Sequence, residues 1–186
     1  VLSWLGDRGG AEQMFRRAAR LRPSPVERAR LSHLAAFNAA HLGELRRAKR
    51  WVASGLAAAE ASGAEGRRWR AELLLDEAMR HSDLGRQQLA LRASFDALAL
   101  AEELDDVTLR GMAHQSVEIS YSILMDEAAI THGDAAMACF EQAGNDRFVA
   151  SLYNNVGLTS MHLGRWPEAF LRYERAREHS LRTGRP

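Results

Sequence analysis

One pattern recurs along this 186-residue chain and constrains its fold more than any other feature. In its clearest copy, Ala169 and Ala176 flank Tyr173, so that a large residue stands between two small ones. The spacing Ala-x3-large-x2-small places all three side chains on one stripe of an α-helix. Because small side chains let a second helix approach closely, the pattern predicts paired helices whose apolar faces must be completed by neighbouring pairs.

Five copies of the pattern can be found, and their anchors are separated by 37, 42, 39 and 40 residues. The anchors are Ala11, Ala48, Ala90, Ala129 and Ala169. The fourth copy departs most, because Gly133 occupies its large position and Leu124 the turn position that glycine holds elsewhere. A repeat of about 40 residues is long enough for a hairpin of two helices.

Helices are therefore expected along almost the whole chain. With four prolines and no alternating Val/Ile/Thr runs, the sequence offers almost no case for strands. One helix start is especially clear, since Ser24 can cap, Pro25 suits the first helical position and Glu27 completes a capping box. The predicted map is a short helical tail at 1–5 and helices at 8–21, 26–42, 44–62, 67–83, 86–104, 107–123, 126–143, 147–163 and 166–182.

The last repeat resembles a tetratricopeptide repeat. Tyr153, Val156-Gly157, Ala169, Tyr173 and Ala176 stand where that family has its aromatic, Leu-Gly and alanine positions, whereas Ser160 and Leu181 depart from it. The resemblance implies an all-α, right-handed superhelix of about five antiparallel hairpins. The predicted repeats, in one domain over 1–186, are 1–22, 24–64, 66–105, 107–145 and 147–186.

The chain is expected to be a fragment of a longer bacterial protein. Leu2, Trp4 and Leu5 form an apolar stub, whereas solenoids normally end in polar capping repeats. The Ala/Arg-rich helices and the junction Glu102-Glu103-Leu104-Asp105-Asp106 are similar to the sensor arrays of large LuxR- and SARP-type transcriptional regulators.

Composition excludes several classes of function. A single cysteine, Cys139, excludes internal disulfides and Cys-rich metal sites and indicates a reducing, cytoplasmic setting. No signal peptide or membrane span is visible. Motifs for nucleophilic hydrolysis, phosphate loops and metalloprotease helices are also absent, so neither catalysis nor a cofactor is predicted.

In tetratricopeptide proteins the first helix of each hairpin lines a concave groove. Transferring those positions predicts a groove that holds an extended peptide, with asparagines pairing its backbone and Phe37, Met79 and Tyr121 as apolar contacts. The predicted binding residues are Arg30, His33, Phe37, His41, Glu72, Leu75, Asp76, Met79, Asp83, His114, Glu118, Tyr121, Ser122, Ser151, Asn154, Asn155, Leu158, Met161 and His162.

Several polar residues need a separate explanation. Glu77 and Ser116 fall where the family has a core leucine, and a carboxylate there must be paired, protonated or directed to the edge. His114 and Glu118, one helical turn apart, are half of a metal site at most, so no metal is predicted.

Charge is unevenly distributed, with net charges of +8 over 1–70, −10 over 71–141 and +3 over 142–186. The acidic third repeat, through Glu72, Asp76 and Asp83, predicts a basic or neutral partner over an acidic one. Two basic runs that contain tryptophan, 46–51 and 67–70, raise the alternative of nucleic-acid contact. The competing interpretation is that both tryptophans pack between helices while arginines coat the surface.

The sequence therefore predicts a non-catalytic module that binds a protein segment or peptide, as scaffold or sensor. Two alternatives remain: a structural or self-associating segment of a regulator, joined through the ends of the repeat array, and an adaptor that contacts nucleic acid.

Overall fold

The computed structural model describes residues 8–182, except for the side chains of residues 8, 12, 146 and 147. Over this range the chain forms nine α-helices and one short 3-10 turn, Gly63–Gly66, with no strand. The helices are α1 (Arg8–Arg20), α2 (Pro25–His41), α3 (Leu45–Ala61), α4 (Arg67–Asp83), α5 (Gln87–Glu103), α6 (Val107–Ile123), α7 (Ala128–Gln142), α8 (Asp146–His162) and α9 (Trp166–Arg182).

Eight of these helices pair as hairpins, α2 with α3, α4 with α5, α6 with α7 and α8 with α9, and α1 packs on α2. We number these four hairpins second to fifth, after the sequence repeats to which they correspond. We call α2, α4, α6 and α8 the first helices and their partners the second helices. Each of the second helices α3, α5 and α7 also packs on the next first helix, and α4 packs on both α2 and α6. The predicted all-α solenoid is confirmed, and the predicted helix ends at 8–182 differ from the observed ones by at most two residues. The predicted tail at 1–5, with Leu2, Trp4 and Leu5, lies outside the described residues.

Small residues let the helices of each hairpin approach closely. Ala169 is 2% exposed on α9. On α8, a Cβ added to Gly157 would lie 3.0 Å from Cε1 of Tyr173. The stripe predicted from the repeat pattern therefore faces the partner helix, and the aromatic ring of one helix fills the space that glycine leaves on the other.

A residue with positive φ follows the first helix of every hairpin. Gly43, Gly85 and Gly164 have φ of 72°, 70° and 74°, the left-handed region that glycine adopts at low cost. In the fourth copy this residue is Met125, with φ of 57°. The prediction that Leu124 holds the turn position was wrong by one residue, because Leu124 is the C-cap of α6.

The capping box predicted for α2 is present. The backbone N–H of Ser24 donates to Oε2 of Glu27 at 2.8 Å, and the N–H of Glu27 donates to Oγ of Ser24 at 3.3 Å. Pro25 begins the helix, as expected. Since the box satisfies two backbone donors that the helix itself cannot, it defines where α2 starts.

The two polar residues that interrupted the core pattern have different environments. Glu77 is half-buried and lies 3.4 Å from Nη2 of Arg80 and 3.7 Å from Nε2 of His81, so its carboxylate is paired within α4. Ser116 joins α6 to α5 through a hydrogen bond of 2.8 Å to Ser94. Both groups are thus satisfied locally.

No helix in the described part of the chain has both the length and the apolar character needed to cross a bilayer.

Candidate functional site

Each of the four first helices contains 17 residues, so equivalent residues can be compared by their position counted from the first residue of the helix. Position 11 faces the core in α2, α6 and α8, where Ala35, Val117 and Val156 are fully buried, and in α4 it is the half-buried Glu77. Position 13 is turned by about 200° from position 11 around an α-helix. Side chains at position 13 therefore point away from the core and away from the second helices.

An apolar side chain occupies position 13 in every first helix. Phe37, Ile119 and Leu158 are 44%, 40% and 41% exposed, and Met79 is half-buried. A single exposed apolar residue is ordinary, whereas one at the same position of four successive hairpins makes a row along the solenoid. We call this set of four residues the apolar row.

Positions 6, 9, 16 and 17 flank the apolar row on the same helix side, and together with it they form what we call the first-helix face. Its remaining residues are Arg30, Glu72, Met112 and Ser151 at position 6; His33, Leu75, Gln115 and Asn154 at position 9; Ala40, Ser82, Ser122 and Met161 at position 16; and His41, Asp83, Ile123 and His162 at position 17.

In the second and third hairpins, His33 holds this face together. Its Nδ1 donates to Oδ2 of Asp76 at 2.8 Å, and its Nε2 lies 3.9 Å from Oε2 of Glu72. Burial of the ring by itself acts to lower the pKa of His33. The hydrogen bond and charge of Asp76, with the charge of Glu72, outweigh that effect, so the pKa of His33 is raised above its ordinary value. The imidazole therefore links α2 to α4 through two buried carboxyl groups, and burial raises the pKa of Asp76 as well.

Arginines complete this charged cluster. Arg68 pairs with Glu72 at 3.6 Å and also with Asp106, whose own side chain caps α6. Arg30 lies over the ring of Trp69, 5.9 Å from its centroid, which is a cation–π geometry. Glu72 and Asp76 are only 8% and 6% exposed. Of the three carboxylates expected to select a partner by charge, only Asp83 is exposed.

His41 was also predicted to line the groove. It is exposed, its Nδ1 donates to the backbone oxygen of Phe37 at 2.9 Å, and the two rings are 4.1 Å apart. His41 therefore orients the first member of the apolar row.

In the fourth hairpin the predicted binding residues face another direction. His114 lies with its Nδ1 3.0 Å from Nδ1 of His132 on α7, and the ring of Tyr121 stacks on His132 at 5.9 Å. Glu118 is 1% exposed and packs beside Gly133 of α7. These three side chains lie in the contact between α6 and α7, so the expectation that they line the groove is corrected.

A one-residue difference in repeat length explains this error. The first helices α4 and α6 begin 40 residues apart, at Arg67 and Val107, whereas the second-helix anchors Ala90 and Ala129 are 39 apart. Applying the 39-residue spacing of the second helices to α6 selects residues one position too early, and these point about 100° away around the helix. The face residues missed for this reason are Met112, Gln115, Ile119 and Ile123. The 40-residue spacing between the starts of α4 and α6 was the signal that could have identified them.

Two groups in the contact between α6 and α7, Glu118 and His114, have strongly shifted pKa values. Burial raises the pKa of Glu118 to about 7, and among the described residues its Oε2 has no hydrogen-bond partner. Burial, together with the charges of His132 and Arg110, lowers the pKa of His114 to about 4. Both groups are therefore held in their uncharged forms near pH 6.

In the fifth hairpin most predicted residues lie on the first-helix face. Asn154, Leu158 and His162 are exposed at positions 9, 13 and 17. Asn155 is half-buried at position 10, and its backbone oxygen accepts from Thr159. A hydrogen bond of 2.7 Å between Ser122 and Thr159 joins α6 to α8, so the face continues across this junction.

Within the described residues, no group of three or more His, Cys, Asp or Glu side chains is arranged to hold a metal ion.

The fold and the first-helix face define a helical-repeat solenoid of the tetratricopeptide-like class. Two solved structures share this architecture: aspartyl phosphate phosphatase F from Bacillus subtilis, with a TM-score of 0.80 and 16% identity, and the apo form of RapI, with a TM-score of 0.80 and 15% identity. The matches cover 87% and 97% of this chain but 42% and 51% of those proteins, so the chain spans about half their length or less.

At these identities the likeness concerns the fold alone. No protein-family model matches the sequence, and no curated protein does. Neither structural neighbour carries a name that concerns a LuxR- or SARP-type regulator.

Proposed function

We propose that this chain is a non-catalytic binding module, acting as scaffold or sensor, that holds a protein segment or peptide against its first-helix face. The observation that carries the proposal is the apolar row, since Phe37, Met79, Ile119 and Leu158 repeat at one position in all four hairpins. Burying such a row removes apolar area from water, and it requires a ligand long enough to span several repeats.

Amides beside the row support an extended ligand. Gln115 and Asn154 share position 9, next to Ile119 and Leu158 respectively. An amide side chain can both donate to and accept from the backbone of an extended peptide, which gives affinity without selecting its sequence. Asn154→Ala is therefore expected to weaken binding by about 1–3 kcal/mol by leaving the ligand's backbone unpaired.

Partner charge plays a smaller part than the composition indicates. His33 and Arg68 already pair with Asp76 and Glu72, and Asp83 remains exposed at the end of α4. We therefore retain the charge prediction in a weaker form. The third hairpin should mildly prefer a basic or neutral ligand, and this preference should weaken as salt screens the charges.

The proposal is tested with one face variant and one matched control. Ile119→Glu places a carboxylate in the apolar row, whereas Leu89→Glu makes the same kind of change on α5, where Leu89 is 46% exposed. A displayed library of random peptides is selected on the immobilised chain, and the enriched peptide is titrated against the three proteins by fluorescence anisotropy.

Binding should weaken about tenfold or more in Ile119→Glu and stay unchanged in Leu89→Glu. Equal affinity of Ile119→Glu and the parent would show that the ligand lies elsewhere. Similar losses in both variants would show that binding is non-specific and would also contradict the proposal.

A second candidate, self-association through the end of the array, has its own observation. Trp166, Phe170 and Leu181 on α9 are 55%, 69% and 69% exposed. Such large apolar groups on one helix are typical of contact surfaces. Sedimentation of the parent and of Phe170→Glu tests it: a larger species present only in the parent would support association, and monomers throughout would exclude it.

A further inference from the structure

The side of the molecule away from the first-helix face contains a basic pocket. It lies between α1 and α3, has a volume of about 330 Å³, and is lined by Arg16, Arg47, Arg50, Trp51 and Ser54. Four of these residues come from one helix, and α1 supplies the fifth. Three guanidinium groups and one indole therefore converge on one concavity.

The surrounding sequence keeps this pocket positive. Between residues 8 and 58 there are eleven basic and three acidic residues. Glu44 pairs with Arg47 at the pocket edge. Arg16 and Arg50 are both exposed, so the local field favours an anion.

The other basic run with a tryptophan has a different role. In residues 67–70, Arg68 is paired with Glu72 and Asp106, and Arg30 lies over Trp69. That run serves the contact between α2, α4 and α6. The run at 46–51 contributes Arg47, Arg50 and Trp51 to the basic pocket, and the fold adds Arg16 to it.

We propose that this pocket binds a nucleoside phosphate, with the phosphate on the guanidinium groups and the base against Trp51. Guanidinium groups match phosphate oxygens in charge and in their paired N–H geometry. A half-buried tryptophan offers a stacking surface for a base, while Ser54 adds a hydroxyl. The volume is at the lower end of small-molecule sites, which fits one nucleotide and excludes a folded domain.

The same ligand chemistry is presented by a free nucleotide and by one unit of single-stranded nucleic acid. The probes are AMP, inorganic pyrophosphate and a labelled thymidine decamer, each titrated at about 50 mM and about 200 mM salt. Tighter binding of the decamer with a steep salt dependence would identify a strand as the source. Equal binding of AMP and the decamer would identify a free nucleotide. Either result supports the pocket.

Three variants assign the binding to these residues. Arg50→Gln removes one guanidinium, Trp51→Leu removes the stacking ring, and Arg92→Gln is a control that changes the same charge at an exposed position of α5. We expect Arg50→Gln to weaken every probe about tenfold, and Trp51→Leu to weaken AMP and the decamer about tenfold but pyrophosphate hardly at all. Arg92→Gln should bind like the parent.

Two results would overturn the proposal. One is the absence of binding by any probe at the lower salt concentration. The other is an equal loss in Arg50→Gln and Arg92→Gln, which would show diffuse electrostatic attraction instead of a site. Circular dichroism of Trp51→Leu checks that this variant is folded. If Trp51→Leu proves unstable, Arg50→Gln, which changes an exposed residue, still assigns the binding to the pocket.

Discussion

At the scale of single residues, Glu118 is the most unusual group in the described chain. A carboxyl group 99% removed from solvent, with one oxygen unpaired, resists ionisation, and its pKa is raised to about 7. In the unfolded chain the same group ionises near 4.5. Between these two values the folded chain holds a proton that the unfolded chain has lost. The stability that the neutral carboxyl contributes is therefore full below about pH 4.5 and is lost as the pH rises through about 7.

Glu118→Gln removes this dependence while keeping the shape of the side chain. The variant should match the parent near pH 4.5 and become more stable than it as the pH rises to 7 and above, by about 3 kcal/mol. Urea unfolding at pH 4.5, 6 and 8 measures the difference. A constant difference across this range would show that Glu118 is ionised in the fold. The lowered pKa of His114 makes the stability of the parent rise with pH over part of the same range, opposite to the effect of Glu118. Only the difference in stability between the variant and the parent is therefore diagnostic.

Met125 is a second residue-scale test. It has φ of 57° at the turn where three other hairpins have glycine, and its side chain is 50% exposed. Met125→Gly should relieve the strain of a left-handed backbone, whereas the entropy that glycine adds to the unfolded chain offsets part of this gain. The net increase in stability should be up to about 1 kcal/mol. Gly85→Ala is the reverse change at the equivalent position and should destabilise. Thermal unfolding of both variants checks this, and a lower melting temperature for Met125→Gly would contradict the strain argument.

At the scale of helices, stability depends on close contact within each hairpin. Ala169 is 2% exposed on α9, beside Tyr173, which packs on Gly157 of α8. Ala169→Leu should destabilise by about 1–3 kcal/mol, because the added carbons separate α8 from α9. Ala138→Leu, at an exposed position of α7, is the matched control and should change stability little. A melting temperature of Ala169→Leu at or above that of the parent would show that the site can expand.

Contacts between first helices are chemically different from those within hairpins. The α2–α4 contact includes the buried pair of His33 and Asp76, and the α6–α8 junction includes Ser122 and Thr159. Polar contacts of this kind require a defined geometry, so they orient neighbouring repeats as well as holding them. The relative placement of the residues in the apolar row depends on them.

At the scale of the whole molecule, the solenoid should behave as a sum of neighbouring repeats. Among the described helices each hairpin packs on its neighbours along the chain, so removing residues 146–186 takes away α8 and α9 and one inter-repeat contact. Circular dichroism should show a loss of helicity in proportion to the two helices removed. Loss of nearly all helicity would mean that the array folds only as one unit.

The sequence by itself determined the elements of this protein. The Ala-x3-large-x2-small stripe, the capping box at Ser24 and the glycines at helix ends are local signals, because they act within a helix or across one turn. They were sufficient for an all-α hairpin repeat and for helix ends within two residues over the described range. The resemblance to a tetratricopeptide repeat also placed Phe37, Met79 and Leu158 on one helix side, where Phe37 and Leu158 are exposed and Met79 is half-buried.

The tertiary structure decided which side chains meet. Whether Glu118 or Ile119 lies on the first-helix face depends on a rotation of about 100°, which one residue of repeat length controls. The pairing of His33 with Asp76 spans 43 residues, and Arg16 reaches the pocket of Trp51 from a different helix. Such contacts follow from how helices stack, and stacking is set by the packing of all neighbouring repeats together, not by any one segment.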